Sequence, residues 1–190
     1  FARRLLLAVL VAADSKIQSL QELIAQAKSQ PGKINIGTIN IGSTQHLAAE
    51  LFKTTLGIDV QVVPFNGTPA VVNALRGKQV DAAVEILAPV LAQVTGKALR
   101  ALAVMGDKRT PTLPAVPTVA EVDPAASKGF SVASWNALAA PSKTSAPVIA
   151  RLNKEVNAAL ASPEVAKRLR DLGVEAGGST PEQQGALLTS

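Results

Sequence analysis

The sequence predicts an α/β fold with a largely parallel sheet flanked by helices. Strand-like and helix-like segments alternate from the start of the chain, and the last part is mainly helical. Helix starts and ends also have recognisable capping residues. Of the 190 residues, 47% are hydrophobic, mostly Ala, Val, Leu and Ile, so the chain can bury a substantial core.

The first strand is predicted from the apolar run Leu5 to Val11. Arg3 and Arg4 before it imitate a signal peptide, but the run also has the length and composition of a buried strand. Further strands are predicted over residues 33–38, 59–63, 79–85, 99–104 and 130–139. Helices are predicted from Leu20, Gln45, Pro69, Pro89, Pro147, Ser162 and Thr180, the sixth of them ending at Gly173.

Several side chains have predicted positions in these helices. Ser19 with Glu22 and Thr118 with Glu121 have the spacing of capping boxes. Thr68 is predicted to cap the third helix, with Pro69 at its first position. Apolar stripes are predicted on two helices, one formed by Leu47, Ala48, Leu51, Phe52 and Leu56, the other by Val148, Ile149, Leu152, Val156 and Leu160.

Composition excludes several kinds of site. There is no cysteine and a single histidine, His46, so disulfides, thiolate sites and His-rich metal sites are excluded. The net charge of +5 is scattered and only 3% of residues are aromatic, which argues against a nucleic-acid surface. We therefore predict neither a metal nor a nucleic-acid partner.

The candidate site comes from two successive strand–loop–helix units. The loop Asn40–Thr44 follows one predicted strand and the loop Phe65–Thr68 follows the next. In an open parallel sheet, ligands bind at the carboxyl ends of the strands, where both loops lie. Each loop contains a glycine, Gly42 or Gly67, and each precedes a helix whose free N–H groups attract anions. Such loops also occur in α/β proteins merely to make the turn.

Enzymatic interpretations have less support. Ser43 and His46 have the spacing of a helix cap rather than of a nucleophile and its base. The sequence has no Gly-x-Ser-x-Gly elbow, no Walker phosphate loop and no dinucleotide-binding glycine motif. Glu85, at the end of a predicted strand, is more typical of a polar contact or hinge than of a catalyst. We therefore predict no catalytic residue and no cofactor.

A collinear series of motifs resembles the receptors of tripartite tricarboxylate transporters, known as the TctC or Bug family. It includes residues 19–24, 31–33, 42–52, 63–67, 77–81, 96–104, 114–121, 134–135, 151–153 and 172–173, and so covers nearly the whole chain. The resemblance implies a periplasmic-binding-protein-like fold of type II, with two α/β lobes. It assigns residues 12–126 to the second lobe and residues 1–11 and 127–190 to a remnant of the first, whose N-terminal part is missing.

The resemblance also implies a function. A receptor of this family is periplasmic, captures a small carboxylate such as an organic acid or amino acid, and delivers it to the membrane components of the transporter. Glu85 stands where many members have Asp. The predicted ligand-binding residues are Asn40, Gly42, Ser43, Thr44, His46, Phe65, Asn66, Gly67, Thr68 and Glu85. Two alternatives remain open: the effector-sensing domain of a transcription regulator, and a hydrolase with an unrecognised site.

Overall fold

The computed structural model describes residues 2–172 and 174–189. The chain divides into two compact units. The large unit comprises Leu6–Ala133, and the small unit comprises Phe1–Leu5 with Ser134–Ser190. The lobe boundaries predicted from the sequence, 12–126 against 1–11 and 127–190, stay a prediction.

Strands and helices alternate through the large unit, as the sequence predicts. Its elements are β1 (Ala2–Ala12, of which Ala2–Leu5 belong to the small unit), α1 (Leu20–Ser29), β2 (Ile34–Ile39), α2 (Thr44–Leu56), β3 (Val60–Phe65), α3 (Thr68–Arg76), β4 (Ala82–Ile86), α4 (Leu87–Thr95), β5 (Leu99–Val104) and α5 (Val119–Val122). Most boundaries lie within two residues of the predictions, but β4 begins at Ala82 rather than at residue 79. Helix α4 begins two residues before Pro89.

The sheet of the large unit has the order β3-β2-β4-β1-β5. Strand β2 runs parallel to β3 and β4, whereas β1 runs antiparallel to both of its neighbours, β4 and β5. Four of the five strands therefore point the same way, which confirms the mostly parallel α/β fold. The carboxyl ends of β2, β3 and β4 meet at one edge of the sheet, which we call the carboxyl edge.

Strand β1 organises the core on both faces of the sheet. Its residues Leu6 to Ala12 are at most 5% exposed, because they lie between β4 and β5. Alternate side chains of a strand point to opposite faces. Leu7 and Val9 accordingly pack with residues of α1 and α2, and Ala8 and Leu10 pack with residues of α3 and α4. The apolar run at the start of the sequence is thus an interior strand of the large unit.

One predicted apolar stripe is right for Ala48, Phe52 and Leu56 but wrong for its two other leucines. Leu47 and Leu51 of α2 are 60% and 47% exposed, although the sequence predicts them on the buried face. The face that packs on the sheet is formed by Gln45, Ala48, Ala49, Phe52 and Leu56, all of which are buried. Paired alanines let a helix lie close to its sheet, and this packing turns the bulkier leucines towards solvent.

The predicted caps are mostly present. Thr118 and Glu121 form a complete capping box at α5. The hydroxyl of Ser19 accepts from Glu22 N–H at 3.2 Å, but the Glu22 carboxylate accepts from Gln18 N–H rather than from Ser19 N–H. Gly57 ends α2 in the left-handed conformation, with φ +59°. The capping box at α1 is therefore only half formed.

The small unit contains β6 (Ala133–Ala137), α6 (Ala146–Ala161), α7 (Pro163–Asp171), β7 (Val174–Gly177) and α8 (Pro181–Thr189). Strand β7 pairs antiparallel with residues 2–5 of β1. The predicted inward stripe of α6 is wrong for Val148 and Leu152, which are 48% and 53% exposed. Leu152 lines a groove that is open to solvent. The predicted helix end at Gly173 lies outside the described residues.

An apolar groove runs along the exposed side of α6. It has a volume of about 470 Å³ and is lined largely by apolar residues from α6, α8 and the segment after β6, among them Leu138, Ile149, Leu152, Val156 and Leu188.

Candidate functional site

Two helix starts lie at the carboxyl edge of the large unit. Strand β2 ends at Ile39 and is followed by α2 from Thr44; strand β3 ends at Phe65 and is followed by α3 from Thr68. Ile39 and Phe65 are direct partners in the parallel register of β2 and β3. The two loops that the sequence predicts as ligand loops therefore leave the sheet side by side.

The start of α2 is capped by Ser43. Its hydroxyl oxygen accepts from His46 N–H at 3.1 Å and donates to the backbone oxygen of Ile39, also at 3.1 Å. Gly42, just before the cap, has φ +80°, and a Cβ built there has no atom within 4 Å. The backbone at Gly42 thus faces open space, with a conformation that favours glycine.

The start of α3 differs from its prediction. Gly67, with φ +87°, is the N-cap, and Thr68 and Pro69 are the first two helical residues. No side chain caps this helix start. Thr68 is already inside the helix, so its hydroxyl does not act as the N-cap and instead donates to the Glu85 carboxylate at 3.1 Å.

Glu85 connects the two helix starts. Its Oε2 accepts from Thr68 Oγ1 in the first turn of α3 and from Gln45 Nε2 in the first turn of α2, at 3.1 and 3.2 Å. Glu85 is 0% exposed and is the penultimate residue of β4. One buried carboxyl group therefore fixes both helix starts relative to the sheet.

The Glu85 carboxyl group lies in an apolar environment. Burial raises its pKa, because the charged form loses its water, while the hydrogen bonds from Gln45 and Thr68 act in the opposite direction. No cationic side chain is among the causes of this shift. Among the described residues, the donors that stabilise the charged form of Glu85 are thus neutral, namely Gln45, Thr68 and the backbone of Ile86.

Three buried polar atoms at the carboxyl edge have no hydrogen-bond partner among the described residues. They are Thr38 Oγ1, His46 Nδ1 and Glu85 Oε1. Thr38 and Glu85 each stand one residue before a strand end, and His46 lies in the first turn of α2. Buried polar atoms in proteins are nearly always hydrogen-bonded, so each of these three atoms can take a water molecule or a polar ligand as its partner.

The other predicted site residues lie around this edge. Asn40 and Asn66 are exposed in the two loops, and Phe65 is half-buried at the end of β3. The backbone oxygen of Asn40 accepts from Ser43 N–H at 3.0 Å, which closes the turn into α2. Thr44 is half-buried at the first position of α2.

Gln45 is a site residue that the sequence analysis missed. It is 4% exposed and donates to Glu85, although its side chain is polar. The available signal was its position, since residues 45, 48, 49 and 52 fall on one side of a helix. A glutamine on an otherwise apolar helical stripe needs a buried acceptor, and Glu85 is that acceptor.

The geometry favours binding an anion. Helix starts present unpaired N–H groups and the positive end of the helix dipole. Here two helices, of 13 and 9 residues, begin at one edge of the sheet beside unpartnered buried polar atoms. Within the described part of the chain, no group of three or more His, Asp or Glu residues is placed to hold a metal ion.

Comparison with protein families gives a match to a model described as the tripartite tricarboxylate transporter family receptor (TctC), over residues 3–188. Among curated proteins, the protein BugT of Bordetella pertussis is 37% identical over 169 residues, which is 88% of this chain and 51% of BugT. The chain spans about half the length of the curated relatives it matches.

Solved structures are also similar. The structure of R. palustris Rpa4515 with adipate has a TM-score of 0.90 and 30% identity, and the match covers 98% of this chain and 62% of that one. The structure of the periplasmic binding protein BugD has a TM-score of 0.84 and 31% identity, covering 99% of this chain and 62% of BugD.

Proposed function

Because the chain belongs to the family of tripartite tricarboxylate transporter receptors, we propose that it binds a small carboxylate at the carboxyl edge of the large unit. The observation that carries this proposal is the hydrogen-bonded connection of two helix starts through Glu85. The ligand's carboxylate would accept hydrogen bonds from N–H groups in the first turns of α2 and α3.

Backbone groups do most of the binding in this proposal. Gly42 and Gly67 both have positive φ, and added Cβ atoms would meet nothing closer than 3.8 Å. A ligand can therefore approach the backbone without displacing a side chain. Rpa4515, which is similar in structure, holds adipate, a small dicarboxylate, and this supports the ligand class.

Membership of the receptor family supports a proposal on transport and location. We propose that the protein is a periplasmic receptor that delivers its ligand to the membrane components of a tripartite tricarboxylate transporter. BugD, with a similar structure, is a periplasmic binding protein. Among the described residues, no helix has the length and apolar character needed to cross a membrane.

Amide NMR of the 190-residue chain with adipate tests the ligand class, since chemical shifts report even millimolar binding. We expect shifts concentrated in the amides of residues 42–46, 66–68 and 70, which lie in the loops and first turns of α2 and α3. The matched control is adipamide, which has the same chain length without charge. It should leave these amides unchanged, because a neutral amide gains little from two helix dipoles.

Succinate and a neutral sugar complete the panel. Equal shifts with adipamide, or binding of the sugar alone, would refute an anion site. Adipate shifts confined to the small unit would place the site elsewhere. Each of these results would contradict the proposed function without contradicting the fold.

A further inference from the structure

The buried acid Glu85 has a consequence for how an anion binds, if the proposed function is correct. Its Oε2 accepts both hydrogen bonds from the helix starts, and its Oε1 is buried without a partner among the described residues. A carboxylate ligand bound at those helix starts would lie close to the Glu85 carboxyl group, because Gln45 and Thr68 in the first turns both contact it.

Few charges surround Glu85. Its partner on β1 is Ala8, within an apolar stretch, and the described strands β2 and β3 contribute no titratable side chain near it. Helix α4 has none either, and α3 has only Arg76, at its far end. On α2 the titratable residues are His46 in the first turn, then Glu50 and Lys53 farther along.

We propose that Glu85 is the positioning residue of the site, joining the starts of α2 and α3 through Gln45 and Thr68, and that it takes up a proton when an anion binds. The proton comes from solvent and resides on Oε1, because Oε2 is occupied as an acceptor. Binding is thus linked to the neutral form of one buried acid.

The physical reason is repulsion between two carboxylates in an apolar place. Two such groups that share a site do not both stay ionised, and the pKa of one of them rises. Burial already raises the pKa of Glu85 without a ligand, so less free energy is needed to neutralise it than to neutralise an exposed ligand. Neutral Glu85 still accepts from Gln45 and Thr68, so the helix starts stay in place.

A pH profile of adipate affinity tests the proton uptake. Carboxyl groups have ordinary pKa values near 4, so adipate is doubly charged above about pH 6.5 and its own titration does not interfere. Between the pKa of free Glu85 and its higher pKa in the complex, wild-type affinity should fall by up to about tenfold per pH unit. A purely structural role for Glu85 would give wild type and Glu85→Gln the same profile.

Substitutions separate positioning from titration. Glu85→Gln keeps an acceptor for Gln45 and Thr68 but cannot ionise, so its affinity should match that of wild type at low pH and should lack the fall that titration of Glu85 causes. Glu85→Ala removes the connection between the helices, so its affinity should be lower at every pH. Glu50→Gln removes one negative charge from the same helix and should keep the wild-type profile.

A ligand-free measurement distinguishes failure of the inference from failure of the proposed function. Because the pKa of Glu85 is raised in the folded state, its contribution to stability is complete below the unfolded value near 4.5 and is lost as pH rises through the folded pKa. The free energy of unfolding of wild type should therefore fall across that range relative to Glu85→Gln.

Carbon-13 NMR of the Glu85 carboxyl completes the test. On saturation with adipate above the free pKa, its signal should move towards the neutral position. Adipate binding with the same pH profile in wild type and Glu85→Gln, or with an unmoved signal, overturns the inference alone. Absence of adipate binding overturns both, and the stability profile then still reports whether Glu85 titrates in the free protein.

Discussion

Gly42 and Gly57 lie at the two ends of α2 and form a matched pair of residues. Both have positive φ, +80° and +59°, and a Cβ built at either position meets nothing within 4 Å. A side chain at such a position costs about 1–2 kcal/mol of backbone strain. Only Gly42 stands at the carboxyl edge, so the two residues share a structural role but differ in their distance from the proposed site.

We expect Gly42→Ala and Gly57→Ala to lower the free energy of unfolding by similar amounts, about 1 kcal/mol each. Gly42→Ala should also weaken adipate binding, because the methyl group stands where the ligand approaches the backbone. Chemical denaturation measures the first effect and NMR titration the second. Equal losses of binding in both variants would mean that binding responds to stability and that the ligand does not approach Gly42.

Some residues of the candidate site could be predicted from the sequence and others could not. Ser43 and Gly67 were predictable at helix starts, because caps and positive-φ turns need particular residue types. The connection from Gln45 and Thr68 to Glu85 was not, because its members are 40 and 17 residues apart along the chain. Thr68 has the side chain of a cap and was predicted as one, but the helix begins at Thr68 itself, with Gly67 as its N-cap.

For a whole element, the example is helix α2, whose buried face could not be predicted fully from the sequence. Its hydrophobic residues occupy most of the helix circumference, so periodicity alone does not decide which stripe faces the sheet. The buried face contains Ala48 and Ala49, and the exposed face contains Leu47 and Leu51. The distance at which the helix packs on the sheet decides which of its faces is buried. That distance depends on the neighbouring strands.

Replacing a leucine by alanine should lower stability by different amounts on the two faces of α2. Leu56→Ala should lower the free energy of unfolding by about 2–5 kcal/mol, because Leu56 is 2% exposed and its loss leaves a cavity. Leu47→Ala should change it by less than about 0.5 kcal/mol, since Leu47 is 60% exposed and alanine is a good helix former. Denaturant unfolding of both variants provides the comparison.

A large destabilisation by Leu47→Ala, comparable to that of Leu56→Ala, would mean that Leu47 is buried, as the sequence predicts. Ala49, which lies on the buried face of α2 and is 0% exposed, offers a further check. Ala49→Leu should destabilise the large unit, because extra methylene groups do not fit between the helix and the sheet.

For the molecule as a whole, the order of strands and helices in the large unit was predictable, because each boundary has its own local signal. The antiparallel direction of β1 was not, since direction depends on pairing with β4 and β5, which lie far along the chain. The family was predictable from many short motifs in one order, and the match over residues 3–188 confirms it.

The small unit has a consequence for the whole chain in solution. Leu138, Leu152 and Leu188 line its apolar groove and are 67%, 53% and 67% exposed. Exposed apolar side chains that line one groove lose contact with water when a second copy covers them, and this favours association. We therefore expect the 190-residue chain to self-associate through the groove, with a sedimentation coefficient that rises with protein concentration.

A double substitution in the groove, Leu152→Glu with Leu188→Glu, should return the chain to a monomer, because it places two like charges where two copies would meet. The matched control is Leu47→Glu with Leu51→Glu, which puts the same charges on exposed leucines of α2 in the large unit. If the groove is the contact, only the first pair abolishes association, and both variants keep the helical signal of the folded chain. Association that is lost in the control but kept in the groove variant would move the contact to α2. A wild-type chain that stays monomeric at all concentrations would contradict self-association altogether.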